Sequence, residues 1–333
     1  MKLSNYDMSS YLTFRYIINP SLRFCGTEIE VETADDIYEV FGGVENICNN
    51  WSGRVGILLS GGIDSGILSY FLPEGTKAFT VNFKADSDVN EEERAREYVE
   101  RNKLEHHIIE VGWEDYIKYE PVLMEFKHSP LHPIEVALYK ASLKAKELGV
   151  DLFFIGNGAD SNFGGMDKLL SRDWSFDEFV ERYSFVNPFD VLKNPVDMNK
   201  IYRLYERDNK VDVISFLNEI HGEGITRTFE NAICGADIML CTPYEMIKLK
   251  NGIDIDRIRK GEPKYILVEL FKKLYPDLNP PAKIPFVRPM EEWFENGFEI
   301  KSDIFKNDLD LNKFSGEQKY LLYCLDKYVN KYN

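Results

Sequence analysis

Paired cysteines are missing from this sequence. The chain of 333 residues contains five cysteines, Cys25, Cys48, Cys234, Cys241 and Cys324, and no two of them form a C-x-x-C pair. An odd number of widely spaced cysteines excludes a disulfide framework and the usual cysteine-rich zinc sites. The pattern is typical of a protein in a reducing compartment.

Long hydrophobic runs and an excess of positive charge are also absent. No window approaches the roughly 18 apolar residues of a membrane-spanning helix, and the N-terminal stretch MKLSNYDMSSYLTF lacks the apolar core of a signal peptide. Lys and Arg number 40 against 56 Asp and Glu, a formal charge of −16. Such an acidic surface repels the phosphate backbone of nucleic acids. We therefore expect a cytoplasmic protein with no membrane and no nucleic-acid partner.

What the sequence does contain is a regular alternation of strand and helix patterns. Four short apolar runs predict buried strands: RVGILLS, KAFTVNF, EHHIIEV and DLFFIGNG. The segments between them include three with helical spacing: GILSYFL, DVNEEERAREYVERNK and PIEVALYKASLKAKELGV. Alternating strands and helices favour a doubly wound α/β fold with a parallel sheet and right-handed crossovers. After Gly165 the periodicity is helical and no strand is convincing.

The first functional motif is the string SGGIDS between the first strand and its helix. Gly61 and Gly62 allow the backbone to approach an anion closely, and the following helix turns its positive end toward the loop. Ser60 and Ser65 add hydroxyl donors. Asp64 would repel phosphate unless a divalent cation lay between them, so the loop predicts nucleotide binding with Mg²⁺. A strand-to-helix turn without a ligand is the alternative, and no Walker string is present.

A second Gly-rich loop, IGNGADSNFGGM, follows the fourth strand. The carboxyl ends of parallel strands meet at one edge of the sheet, so Asp160 in this loop should lie close to Asp64. Two carboxylates at one edge repel each other unless they share a cation, and Mg²⁺ typically takes one or two carboxylates together with substrate phosphates. The alternative is a Gly-rich loop of purely structural origin.

These two loops resemble known motifs. SGGIDS is similar to the pyrophosphatase loop of enzymes that split ATP into AMP and pyrophosphate. The second loop resembles the asparagine synthetase signature G-E-G-A-D-E-x-F-G-G-Y, which it matches at Gly156, Gly158, Ala159, Asp160, Phe163, Gly164 and Gly165. The resemblance to the asparagine synthetase and β-lactam synthetase group covers roughly Tyr11 to Trp293. It implies a Rossmann-like, adenine nucleotide alpha hydrolase-like core. We predict a lead-in segment over 1–50 and a synthetase domain over 51–333, with its α/β core at about 51–165 and a helical part at about 166–333.

The resemblance also implies roles for individual residues. Adenine should be lined by Leu58, Val81 and Gly156. Pyrophosphate should be held by Ser60, Gly61, Gly62 and Ser65, with support from Lys264. Mg²⁺ should be bound by Asp64 and Asp160. Lys283 should be the catalytic lysine that stabilises the leaving pyrophosphate, although an ordinary surface lysine is the alternative.

Three departures from the family pattern bear on the substrates. Complete asparagine synthetases begin with a glutaminase domain whose nucleophile is a cysteine directly after the initiator Met, but here residue 2 is Lys2. We therefore expect nitrogen to come from free ammonia, a separate glutaminase or another amine. Asn157 replaces the family Glu or Tyr, and Ser161 replaces the Glu after the metal-binding aspartate. These two changes argue against aspartate as the acyl substrate.

The predicted activity is therefore ATP-dependent amide formation. A carboxylate attacks the α-phosphorus of Mg-ATP to give an acyl-adenylate and pyrophosphate, and ammonia or an amine then displaces AMP. The alternatives are a tRNA-modifying adenylase with the same loop and a non-catalytic ATP-binding partner subunit. The carboxylate is a small molecule or a peptide. His128 and His132 either enter its pocket or lie in a surface loop.

Overall fold

The computed structural model describes residues 2–19, 28–84, 91–283 and 288–332. Cys25, Asn90 and residues 284–287 lie outside the described residues.

The strands are short, as expected for a sheet covered on both faces. Their bounds are β1 Ile29–Val31, β2 Val55–Leu58, β3 Lys77–Phe83, β4 Glu105–Val111, β5 Leu152–Phe154, β6 Glu206–Arg207, β7 Lys210–Val211, β8 Met239–Cys241 and β9 Ile247–Leu249. Within the described ranges, a five-stranded sheet runs in the order β4-β3-β2-β5-β8, with every neighbouring pair parallel. The predicted parallel α/β fold is confirmed.

The helices separate the strands and make up most of the second half of the chain. Their bounds are α1 Asn5–Phe14, α2 Ala34–Gly42, α3 Val44–Asn50, α4 Ile63–Tyr70, α5 Glu91–Arg101, α6 Trp113–Lys127, α7 Glu135–Glu147, α8 Ala159–Asn162, α9 Asp167–Leu170, α10 Phe176–Tyr183, α11 Pro188–Val191, α12 Asn199–Tyr202, α13 Val213–Phe216, α14 Gly222–Cys234, α15 Ile255–Arg259, α16 Tyr265–Leu274, α17 Met290–Trp293 and α18 Gly316–Tyr332. No helix in the described ranges is long and apolar enough to cross a membrane.

Alternating side chains of the strands point to opposite faces of the sheet and build two cores. Phe79 and Phe153 pack with α6, α7 and α18 on one face. Ile57 and Phe154 pack with α2, α4 and α16 on the other. The two cores explain why the strands read as continuous apolar runs rather than as alternating ones, and why the sheet is doubly wound.

Within the described ranges, the second half contains the short strands β6, β7 and β9 and the edge strand β8, where the sequence indicated no strand. That expectation was wrong, because a strand of three residues is too short to show a period. Met239 is also 57 % exposed at the sheet edge, so β8 does not need the continuous apolar run by which a buried strand is predicted from sequence. β8 pairs with β5 and brings the residues that follow Cys241 to the edge where the two Gly-rich loops lie.

The remaining helices form a third core around stacked aromatic rings. The rings of Tyr202 and Phe216 lie 5.3 Å apart and nearly parallel, and Phe179 meets Phe216 edge-on. A π-helical turn over Leu217–His221 joins α13 to α14. Such turns are uncommon and occur frequently at functional sites.

Candidate active site

A cavity of about 550 Å³ opens at the carboxyl ends of the parallel strands. This is the position at which open α/β sheets bind ligands. The structure places ten of the predicted site residues in its wall: Leu58, Ser60, Gly62, Asp64, Ser65, Val81, Gly156, Asp160, Lys264 and Lys283. The geometry brings these residues together, while their individual roles stay predictions.

Gly61 belongs to the same loop but faces α5. A side chain at Gly61 would place its Cβ 2.0 Å from Cβ of Arg94, so only glycine permits this approach. The Gly61 N–H donates to Glu91 Oε2 at 3.2 Å, and Arg94 Nη1 donates to Glu91 Oε1 at 2.9 Å. This contact fixes the loop against α5 in the described structure.

Glu91 and Arg94 were missed by the sequence analysis. The run of acids at the start of α5 indicates an exposed helix end, yet Glu91 is only 7 % exposed. Burial raises the pKa of Glu91, while Arg94 opposes that shift. Glu91 begins a run of three glutamates, and the sequence does not indicate which of them is buried. The burial of Glu91 depends on its contact with the neighbouring Gly61 loop.

Lys264 connects the two predicted metal-binding aspartates, and Lys283 contacts Asp160. Lys264 Nζ donates to Asp64 Oδ2 at 2.6 Å and lies 2.8 Å from Asp160 Oδ1. Lys283 Nζ lies 2.8 Å from the same Asp160 oxygen and 2.8 Å from the Gly165 carbonyl oxygen. The two carboxylates therefore share a neighbour at one edge of the sheet, as the strand order predicts. Lys264 adopts a left-handed backbone with φ 53° at the start of α16, a conformation that occurs disproportionately at functional sites.

The electrostatics of this group favour the charged forms of Lys264 and Asp160 and oppose the charged form of Asp64. Burial alone would lower the pKa of Lys264, but the two carboxylates outweigh it and the pKa lies above its ordinary value. Burial opposes ionisation of Asp160, yet Lys264 and Lys283 hold its pKa well below the ordinary range. Burial raises the pKa of Asp64, and repulsion by Asp160 adds to that rise against the attraction of Lys264.

The side chains present fit a Mg²⁺ ion bound together with ATP. Asp64 Oδ1 is buried and has no hydrogen-bond partner among the described residues. The described ranges contain no group of three or more His, Cys, Asp or Glu that could hold a metal by itself. Mg²⁺ needs no such group, because it binds one or two carboxylates together with substrate phosphates and water.

Asn157 is held by two residues that the sequence analysis did not single out. Its Nδ2 donates to Thr226 Oγ1 at 3.1 Å and to Glu245 Oε1 at 2.6 Å. Both amide hydrogens are thereby used, so the amide oxygen is the acceptor that remains. Gly158 makes room for this contact, because its φ is +90° and a Cβ there would lie 2.7 Å from Glu245 Cγ.

The histidines near the site differ in exposure and in whether they line the cavity. His128 is exposed and ends α6, whereas His132 lines the cavity and is 5 % exposed. His221, at the end of the π-helical turn, also lines the cavity and shares a 2.9 Å hydrogen bond with Tyr183. Burial lowers the pKa of His132 well below its ordinary value and that of His221 to about 3, so both rings are neutral.

Comparison with known proteins agrees with the two-loop site. Residues 51–215 match the sequence model of the asparagine synthase family, and this segment belongs to that family. The matched segment contains both Gly-rich loops with Asp64 and Asp160, and it ends before Lys264 and Lys283. The family consists of ATP-dependent amide-forming ligases. No curated protein sequence matches the chain.

Proposed function

We propose that this protein is an AMP-forming carbon–nitrogen ligase. It activates a carboxylate as an acyl-adenylate, releases pyrophosphate and transfers the acyl group to ammonia or an amine. The observation that carries the proposal is the meeting of the SGGIDS loop, Asp64, Asp160 and two lysines in one cavity wall. A purely structural loop gives no reason for that many charges to converge.

The nucleotide is proposed to lie against the ends of β2, β3 and β5. Leu58, Val81 and Gly156 supply an apolar surface and a small backbone site for adenine. Ser60, Gly61 and Gly62 lead into α4, whose first turn carries Ser65 and whose positive N-terminal end faces the pyrophosphate. Ser65 Oγ lies 3.2 Å from Ser60 Oγ, so the two hydroxyls already face each other across the loop.

Asp64 and Asp160 would hold the Mg²⁺ of ATP, and the ion would neutralise phosphate charge. Lys264 is buried between the two aspartates and is suited to support the phosphates from the protein side. Because Lys264 remains charged, it compensates these carboxylates before any ligand is bound.

Lys283 is the proposed catalytic lysine of the adenylation step. A substrate carboxylate oxygen bonds to the α-phosphorus, and the bond from that phosphorus to the pyrophosphate oxygen breaks. The Lys283 ammonium stabilises the charge that develops on the leaving group. Its side chain is 51 % exposed and rests on Asp160, so it is free to turn toward the phosphates.

Asn157 is proposed to orient the nitrogen nucleophile in the second step. Its remaining acceptor, the amide oxygen, can take a hydrogen bond from an incoming N–H. An amide is not a base, so the amine must attack the acyl carbon in its neutral form as AMP departs. Glu245 is a positioning residue in this proposal, because it fixes the direction of the Asn157 amide.

The decisive experiment measures pyrophosphate release from Mg-ATP across a panel of carboxylic acids, with and without ammonium. We expect release that depends on one class of acid, followed by amide formation that depends on ammonium or an amine. Lys283→Ala is the matched control and should bind ATP without releasing pyrophosphate. If ATP binds and no acid supports release, the ligase proposal is wrong and a non-catalytic ATP-binding role takes its place.

A further inference from the structure

Part of the cavity wall comes from elements that carry no predicted nucleotide contact. His132 and Ile134 precede or begin α7, Leu138 lies within it, and Ile225 and Phe229 belong to α14. These two helices pack against each other beside the sheet. The wall they form lines the same cavity as Asn157, which the proposed function places beside the amine that attacks the acyl carbon.

The chemistry of this wall is apolar. Apart from His132, its lining side chains are Ile134, Leu138, Ile225 and Phe229, and Ile155 after β5 lines the same cavity. Apolar lining of this kind with a few fixed polar groups is typical of sites for small organic ligands.

The cations in the described part of the cavity wall are already paired with acids. Arg94 bonds to Glu91 at 2.9 Å, and Arg288 Nε bonds to Glu317 at 2.6 Å. Lys264 and Lys283 are engaged by the two aspartates at the nucleotide end. Each cation in the described wall therefore already has a carboxylate partner, and a second carboxylate on the substrate would have to compete with that partner.

His132 supplies one unused donor in this wall. The Ile134 N–H donates to His132 Nδ1 at 3.3 Å, which places the ring proton on Nε2. That Nε2 is buried and has no partner among the described residues. The backbone of His132 is also fixed, because its N–H donates to Glu135 Oε1 at 2.6 Å and the same oxygen accepts from Lys127. A buried donor that is held in place and left unpaired is suited to an acceptor on a ligand.

We propose that the acyl substrate is a carboxylic acid with an apolar body that carries a neutral hydrogen-bond acceptor, such as a ketone, which binds His132 Nε2–H. An amino-dicarboxylate such as aspartate fits this wall poorly, because its side chains are apolar and the second carboxylate would compete with the acids already paired to the cations of the cavity. The inference rests on the proposed function and specifies its substrate class. The neutral state of His132 agrees with a donor that recognises an uncharged acceptor.

The test measures binding without turnover, by calorimetry in the presence of Mg²⁺ and α,β-methylene ATP. The probes are 4-phenylbutanoate and 5-phenylpentanoate, their ketones 4-oxo-4-phenylbutanoate and 5-oxo-5-phenylpentanoate, and aspartate. We expect both phenyl acids to bind, aspartate not to bind, and one ketone to bind about tenfold more tightly than its parent, the effect of one hydrogen bond. Binding of aspartate alone, or the absence of a ketone preference in the wild-type protein, overturns the inference.

Two variants assign the preference to one side chain. His132→Phe should remove the ketone preference while keeping the affinity for the parent acid. The matched control is His221→Phe, which changes a second neutral histidine of the wall whose Nδ1 is already bonded to Tyr183. It should keep the preference. Loss of the preference in His221→Phe but not in His132→Phe would contradict the inference. The wild-type comparison remains decisive even if a variant does not fold.

The outcomes for the substrate class and for the ligase activity are separate. Pyrophosphate release that depends on aspartate alone would support the proposed function and overturn this inference. A ketone preference in binding, without pyrophosphate release from any acid, would support the assignment of His132 and contradict the ligase proposal.

Discussion

Replacing Lys264 by Met is the most informative single change at this site. Lys264 is 7 % exposed, and its Nζ lies 2.6 Å from one oxygen of Asp64 and 2.8 Å from one of Asp160. Met is close to Lys in length and shape, so the substitution removes the charge with little change in packing. It leaves two carboxylates facing the space that the ammonium group occupied.

The size of the effect follows from which partners remain. Removing one member of a buried ion pair costs about 3 to 5 kcal/mol, because the remaining charge is uncompensated. Asp160 keeps Lys283 at 2.8 Å and is 41 % exposed, so the lower end, about 3 kcal/mol, is expected. With an unfolding entropy of about 2.1 cal/mol/K per residue, a chain of 333 residues should lose about 4 °C in Tm.

The assay is thermal unfolding with and without millimolar Mg²⁺ in the absence of ATP. We expect Mg²⁺ to raise the Tm of Lys264→Met more than that of the wild-type protein, because the freed carboxylates are then available to the ion. Lys319→Met is the matched control: Lys319 is also buried, at 8 % exposure, but among the described residues its Nζ donates only to a backbone carbonyl 3.2 Å away. Equal Mg²⁺ responses in the three proteins would refute the shared metal site.

Three further predictions concern the loops and the neutral histidines. Asp160→Asn should abolish pyrophosphate release with an unchanged circular dichroism spectrum, and normal activity would contradict a metal shared by the two carboxylates. Gly61→Ala should lower the Tm and weaken ATP binding, because the new Cβ would lie 2.0 Å from Cβ of Arg94. Gly62→Ala, whose Cβ would meet only a serine hydroxyl at 3.3 Å, should have the smaller effect on Tm, and the reverse order would count against this loop packing. The pKa of His221 is about 3 in the folded protein against 6.5 ordinarily. Below pH 6.5 the unfolded chain therefore binds the proton that the fold excludes. The free energy of unfolding should fall by up to about 1.4 kcal/mol per pH unit as the pH drops from 6.5 toward 3. The difference between the urea midpoints at pH 7 and pH 5 should be smaller in His221→Gln than in the wild-type protein, because only His132 then keeps a strongly lowered histidine pKa at this site. Equal differences in the two proteins would show the reasoning to be wrong.

The sequence alone determined the α/β core and the nucleotide end of the site. Buried parallel strands are continuous apolar runs, so four strands of the main sheet are visible as local patterns. The loop from Ser60 to Ser65 is equally local, because strand, glycine turn and helix start follow one another along the chain. The meeting of Asp64 with Asp160 also follows from sequence, since the ends of parallel strands share one edge.

Only the tertiary structure decided the remaining contacts of the site. β8 is too short to show periodicity, and its pairing with β5 brings Glu245 to Asn157, 88 positions earlier in the chain. Glu91 turns inward because glycine at position 61 admits Arg94. The sequence left two positions open for His132, the substrate pocket or a surface loop, and the tertiary structure places it in the cavity wall beside α7 and α14. The local sequence of a segment indicates which secondary structure it prefers. These contacts depend instead on which distant segments the fold brings within a few ångströms of each other.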